Sequence, residues 1–216
     1  MNVLAVDTST ESMGIALAVG EGRISLRAER GLGHAAALMP WIDRILADAG
    51  LSCAALDLLV CAVGPGSFTG IRIGIATVKG LSLASGHPAV GVCTLDALAW
   101  PLRFHGGAVI PVIDARKGRF YAAVFHGAVP AGAARDMAPA DLREVVESER
   151  DPVLVGPDAE RVRERIGTGS PAADLHDPAA LLHLGMEKYK KEGAHPEGLT
   201  PIYLRRSEAE SAAGRI

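Results

Sequence analysis

Cysteine is scarce, with three in 216 residues, and Cys53, Cys61 and Cys93 form no C-x-x-C pair. That number and spacing exclude a disulfide framework, and their apolar neighbours point to free thiols packed as small hydrophobes. An excess of either charge is also missing: 22 Lys and Arg stand against 25 Asp and Glu, for a net charge of -3 and a pI near 6.2. No general field draws such a chain to nucleic acid or to an anionic membrane, so direct nucleic-acid binding by the chain alone is not expected. No apolar run is long enough to span a bilayer. The start, Met1 to Asp7, has no basic stretch and reaches an acid too early for a secretory signal, so cytoplasmic residence is expected. Finally, none of His34, His87, His105, His126, His176, His183 and His195 stands in an H-x-x-x-H pair. Isolated histidines make no metal site, and none is expected.

What is present reads as a folded α/β chain, with 49% apolar and 22% charged residues. Val3 to Val6, Gly14 to Val19 and Arg23 to Glu29 read as antiparallel strands, the first closed by Asp7 and a Thr/Ser-rich turn. Apolar spacing predicts a helix over Leu38 to Ala49 with Gly50 as its stop. Leu58 to Val63 reads as a strand buried on both faces. A helix from Ile71 to about Ser85, a strand at Ala89 to Val92 and a short helix from Thr94, with the threonine as its cap, follow. Strand, helix, strand in that order implies parallel pairing. Then the plan recurs. Ala108 to Asp114, a turn and Phe120 to Phe125 repeat strand, aspartate, turn and strand, with Asp114 standing where Asp7 stood. The chain thus reads as a duplication of two lobes, 1–101 and a degenerate 102–216.

Two stretches carry candidate function. Asp7, Thr8 and Ser9 could receive phosphate oxygens or a hydrated cation, or they could simply satisfy their own turn. Gly64, Gly66, Ser67 and Gly70 form a tight loop between strand and helix that can bring backbone N–H groups to a ligand. It is not a P-loop, because Ile71 and Arg72 replace the lysine and hydroxyl, and Ser67 is not in G-x-S-x-G. The helix after it carries only Arg72 and Lys79 as charges, and glycines at 70, 74 and 80. Each helical glycine costs about 1 kcal/mol relative to alanine, which asks for close approach by something. Arg116, Lys117 and Arg119 make a small basic cluster beside Asp114 that reads as a solvated turn.

Val6 to Thr10, His34 with Leu38 to Ile42, Gly64 to Gly74, Lys79 to Leu81, Ile113 to Arg116 and Tyr203 to Arg205 together resemble the TsaB family, also called YeaZ. The resemblance spans nearly the whole chain, and Gly64 to Gly74 with Lys79 and Gly80 is its specific part. It implies the actin-like ATPase (ASKHA) fold in two lobes and a non-catalytic subunit of the machinery that makes threonylcarbamoyladenosine at position 37 of tRNA. It further implies binding to the catalytic subunit TsaD together with TsaE, and a homodimer when alone. The catalytic relative has an H-x-x-x-H pair where this chain has Thr94 and Leu98, which cannot replace imidazole. By resemblance the partner surface takes in His34, Leu38, Met39, Ile42, Ile71, Ile75 and Val78, framed by Arg72 and Lys79. No cofactor of its own is implied, and the resemblance allows ATP or ADP at the interface of the complex. The competing readings are an actin-like ATPase or small-molecule kinase using Asp7 and Asp114, and a metal-dependent protease.

Overall fold

A computed structural model describes residues 1–20, 23–31, 33–172, 177–194 and 199–205, those from 23 to 30 by their backbone alone. His176 and His195 lie outside the described residues. Strands β1 (Val3–Asp7), β2 (Ser12–Val19) and β3 (Arg23–Arg30) form an antiparallel meander. Helix α1 (His34–Ala49) leads to β4 (Leu58–Ala62), and α2 (Phe68–Ser85) leads to β5 (Ala89–Val92); both strands add in parallel beside β1, in the order β3-β2-β1-β4-β5. Every residue of β1 and β4 is buried, because helices cover both faces of this sheet. Continuous apolar runs such as Leu58 to Ala62 are what that position requires.

After α3 (Thr94–Ala99) the plan repeats. Strand β6 (Ala108–Asp114) takes the place of β1, followed by β7 (Phe120–Ala122), a small hairpin of β8 (Phe125–His126) and β9 (Val129–Pro130), and β10 (Arg135–Met137). Helix α4 (Pro139–Ser148), β11 (Val153–Val155), α5 (Ala159–Ile166) and β12 (Ser170–Pro171) complete the order β10-β7-β6-β11-β12, the same as in the first sheet. Helix α6 (Pro178–Glu192) closes the described elements.

The last helix of each repeat crosses to the other lobe. Leu95, Leu98 and Ala99 of α3 pack with Val109, Ile113 and Val155 of the second sheet, while Ala180, Leu181 and Leu182 of α6 pack with Val3, Ala5, Val60 and Val90 of the first. Gly185 lets α6 approach so closely that a Cβ there would overlap the Val60 side chain. Leu199 joins the first core, and Ile202 N donates to Val63 O at 2.8 Å. Beyond residue 101, α6, Leu199 and Ile202 thus pack on the first lobe, whereas Arg205 pairs with Asp136 of the second at 2.9 Å, a crossover that local sequence pattern does not encode.

Three local expectations also change. Helix α1 begins at His34 and not at Leu38, and α2 at Phe68, where Ser67 Oγ accepts from Gly70 N at 3.2 Å as a side-chain cap. Thr94 is not the cap of α3: Cys93 holds that position, and Thr94 Oγ1 is buried with no hydrogen-bond partner among the described residues. The thiols of Cys53, Cys61 and Cys93 are free, and burial together with the nearby Asp96 pushes Cys93 up to about 12.

Candidate functional site: the interlobe cleft and the outer helical face

The glycines of the loop after β4 serve the first turn of the chain. A Cβ at Gly66 would overlap the carbonyl oxygen of Ser9, one at Gly70 that of Thr8, and one at Gly74 would sit 2.5 Å from Thr8 Oγ1. Ser67 N donates to Ser9 O at 2.7 Å, and Thr8 Oγ1 donates to Gly70 O at 2.7 Å. Asp7 Oδ1 accepts from both Ser9 N at 2.8 Å and Ser9 Oγ at 2.6 Å. Asp7, Thr8 and Ser9 are all buried. The turn thus seats on the N-terminus of α2, and the groups that would meet a phosphate meet one another.

The second lobe carries the same turn with a different outcome. Asp114 Oδ1 accepts from Arg116 N at 2.8 Å, as Asp7 does from Ser9 N. Gly156-Pro157 follows β11 as Gly64-Pro65 follows β4, with φ of 118° and 101° at the two glycines. Yet Asp158 stands where Gly66 stands, and its Oδ2 accepts from Asp114 N at 2.9 Å. Burial raises the Asp158 carboxyl, against the lowering effect of that hydrogen bond. A carboxylate in this position repels phosphate where a glycine would admit it.

Between the lobes lies a cavity of about 720 Å³, lined among others by Ser9, Glu11, His34, Ser67, Ile73, Asp114, Arg116 and Asp158. Glu11 and Arg116 face each other across it at 3.6 Å. His34 Nε2 is buried at its wall, with no hydrogen-bond partner among the described residues. Among the described residues no group of three His, Cys, Asp or Glu side chains is placed to hold a metal ion. Thr94 and Leu98, on α3, are both buried.

The residues assigned to a partner surface divide sharply. Leu38, Ile42, Ile71, Ile75 and Val78 lie in the chain's own core against Leu17, Leu59 and Val63, so they cannot be the side chains that touch a partner. Their periodicity marks the face toward the sheet. Met39, Arg72 and Lys79 are exposed, and His34 is half-buried. The outward stripe of α2 also holds Ala76, Gly80, Leu83 and Ala84, and that of α1 holds Ala35, Ala36, Pro40 and Asp43, all exposed. Leu83 is 89% exposed. A Cβ at Gly80 would meet nothing within 4 Å, so no close approach among the described residues calls for this glycine. Subtracting the inward positions at 3.6-residue spacing would have found this stripe.

At the N-terminus of α2, the Arg72 guanidinium lies 3.6 Å from the centre of the Phe68 ring, and its Nε donates to Tyr203 Oη at 3.0 Å. Among the described residues neither Arg72 nor Lys79 has a carboxylate partner, and α2 contains no acidic residue.

The family model for "TsaD: tRNA N6-adenosine threonylcarbamoyltransferase" matches residues 29–160. The tRNA threonylcarbamoyladenosine biosynthesis protein TsaB of Bacillus subtilis is 32% identical over 98% of this chain and 97% of its own length. The Escherichia coli protein of the same name is 38% identical over 56% of this chain and 53% of its length. Among solved structures, YeaZ from Pseudomonas aeruginosa superposes with a TM-score of 0.80 at 29% identity, covering 94% of this chain and all of that one. The fold is the actin-like ATPase fold. On the full-length match to TsaB and the shared architecture, the chain belongs to the TsaB (YeaZ) family and takes part in threonylcarbamoyladenosine biosynthesis.

Proposed function

We propose that this chain is a non-catalytic, cytoplasmic subunit that binds and supports TsaD, together with TsaE, through the outer face of α1 and α2. The observation that carries this reading is the stripe Ala76, Gly80, Leu83 and Ala84, small or apolar and exposed, on a helix with no acid and with two cations that have no carboxylate partner among the described residues. Small side chains let a partner helix approach closely, and an exposed leucine there gains by being covered. The same face pairs two copies when the chain is alone, since Asp43 on α1 offers an acid to the cations of α2 across a two-fold axis. ATP or ADP at the interface of the complex belongs to the same reading.

Against an ATPase or kinase stand the self-satisfied Asp7 turn and the Asp158 carboxylate in the second loop. The experiment is sedimentation of the wild type and of Ala76→Arg, alone and mixed with TsaD. Residue 76 is exposed, so the variant should fold normally while losing both the homodimer and the heterodimer. Normal association by the folded variant would move the partner surface elsewhere.

A further inference from the structure

The turn of the second lobe has a feature its first-lobe counterpart lacks. Arg116 and Lys117 adopt left-handed φ angles of 62° and 55°, followed by Gly118 at 70°. Non-glycine residues avoid this region, and two in succession persist only where surrounding bonds hold them. Here Asp114 Oδ1 accepts from Arg116 N, Arg119 N donates to Arg116 O at 3.2 Å, Ala115 N donates to Arg119 O at 3.0 Å, and Arg205 Nη1 donates to Ala115 O at 3.3 Å. The first-lobe turn is buried and its hydroxyls are spent internally, whereas this one holds two long cationic side chains out at the surface.

Two more cations join them from α5. Arg161 Nη1 donates to Asp114 Oδ2 at 2.8 Å, and Arg165 follows one helical turn later. Together with Phe120 and Glu164 they border an open hollow of about 510 Å³. Arg161 pairs with Asp114, and Arg116 lies 3.7 Å from Asp114 and 3.6 Å from Glu11, so the four cations outnumber the three acids Asp114, Glu164 and Glu11 near them. The Asp114 side chain is only 9% exposed and is turned to Arg161, leaving Glu164 as the one exposed acid among these lining residues.

We propose that the turn 115–119 and the adjoining face of α5 form a phosphate-binding site for an RNA backbone, with Arg116, Lys117, Arg161 and Arg165 as its cations. Several arginines and lysines in one hollow are the footprint of phosphodiester contact, and such contact positions RNA without reading its sequence. The net charge of the whole chain hides the site because acids elsewhere outweigh it. The proposal rests on the chain's place in a tRNA-modifying assembly, which makes tRNA the RNA to test.

The test is fluorescence anisotropy of a labelled, unmodified tRNA transcript with the full chain, between about 50 and 200 mM salt. One variant combines Lys117→Asn, chosen because asparagine tolerates the left-handed backbone, with Arg165→Gln. A control combines Arg143→Gln with Arg150→Gln, two exposed arginines away from the hollow, and removes the same two charges. The expected result is about tenfold weaker binding for the first pair, with a salt slope shallower by about 1–2, and less than twofold change for the control. Equal loss in both pairs, or no binding by the wild type, overturns the proposal. So does displacement of the tRNA by ATP at equal concentration, which would make this a site for free nucleotide. The tRNA titration contains no TsaD and the sedimentation contains no RNA, so failure here and failure of the partner surface are read separately.

Discussion

The two lobes share one strand order and one aspartate turn, but they use the loop facing that turn in opposite ways. In the first lobe Gly66 and Gly70 admit the backbone of Thr8 and Ser9, and the turn disappears into the protein. In the second, Asp158 fills the Gly66 position and bonds Asp114, while the turn stays outside and carries cations. At neither turn do open phosphate-accepting groups face the cleft: in the first they meet the chain's own backbone, and in the second a carboxyl group stands beside them. This supports the proposed reading, in which the helices around the cleft, and not the cleft itself, are the working surface.

The comparison breaks most visibly at Gly70. Gly70→Ala places a Cβ against the Thr8 carbonyl and should cost about 3 kcal/mol or more by chemical denaturation, because backbone must move. Asp7→Ala removes the acceptor of two buried hydrogen bonds and should cost about 2 kcal/mol. Asp114→Ala, at a more accessible turn, should cost about half as much by the same measurement. Gly80→Ala has open space and a helical backbone, so the monomeric chain should gain about 0.5–1 kcal/mol. The smallest effect is at Asp158. Burial raises its carboxyl, so the folded state holds that proton more tightly than the unfolded chain does, and its charge opposes folding at neutral pH. Asp158→Asn should therefore raise the melting temperature near pH 7 by about 1–2 °C. That gain should fade as pH falls from the raised carboxyl's range to the ordinary carboxylate value, which a pH series of melting curves checks.

Much of this fold is legible in the sequence because the signals are local. The buried run at Leu58 to Val63, the strand Ala89–Val92 and the repeated aspartate turn are read directly. The crossing of α3 and α6 between lobes is not, since a helix records how wide its apolar stripe is but not which sheet covers it. The same ambiguity misassigned Leu38, Ile42, Ile71, Ile75 and Val78, whose stripe faces the chain's own sheet. The glycines posed the inverse problem. Gly70 and Gly74 do mark close approach, but by Thr8, from 62 or more residues away, which no window around position 70 contains. The left-handed Arg116 and Lys117 carry no residue-type signal at all, so their turn reads as an ordinary solvated loop until its backbone is seen.

The measurement that bears most directly on a subunit acting through its surface and not its cleft is the threonylcarbamoyladenosine content of tRNA in cells depleted of this protein. Wild type, Asp7→Asn and Ala76→Arg are each added back. Asp7→Asn keeps an acceptor for Ser9 while removing the charge a phosphate-transfer site would need, and it should restore the modification fully. Ala76→Arg, folded and present at wild-type level, should not. Restoration by Ala76→Arg with failure of Asp7→Asn would contradict the account and return the chemistry to the cleft.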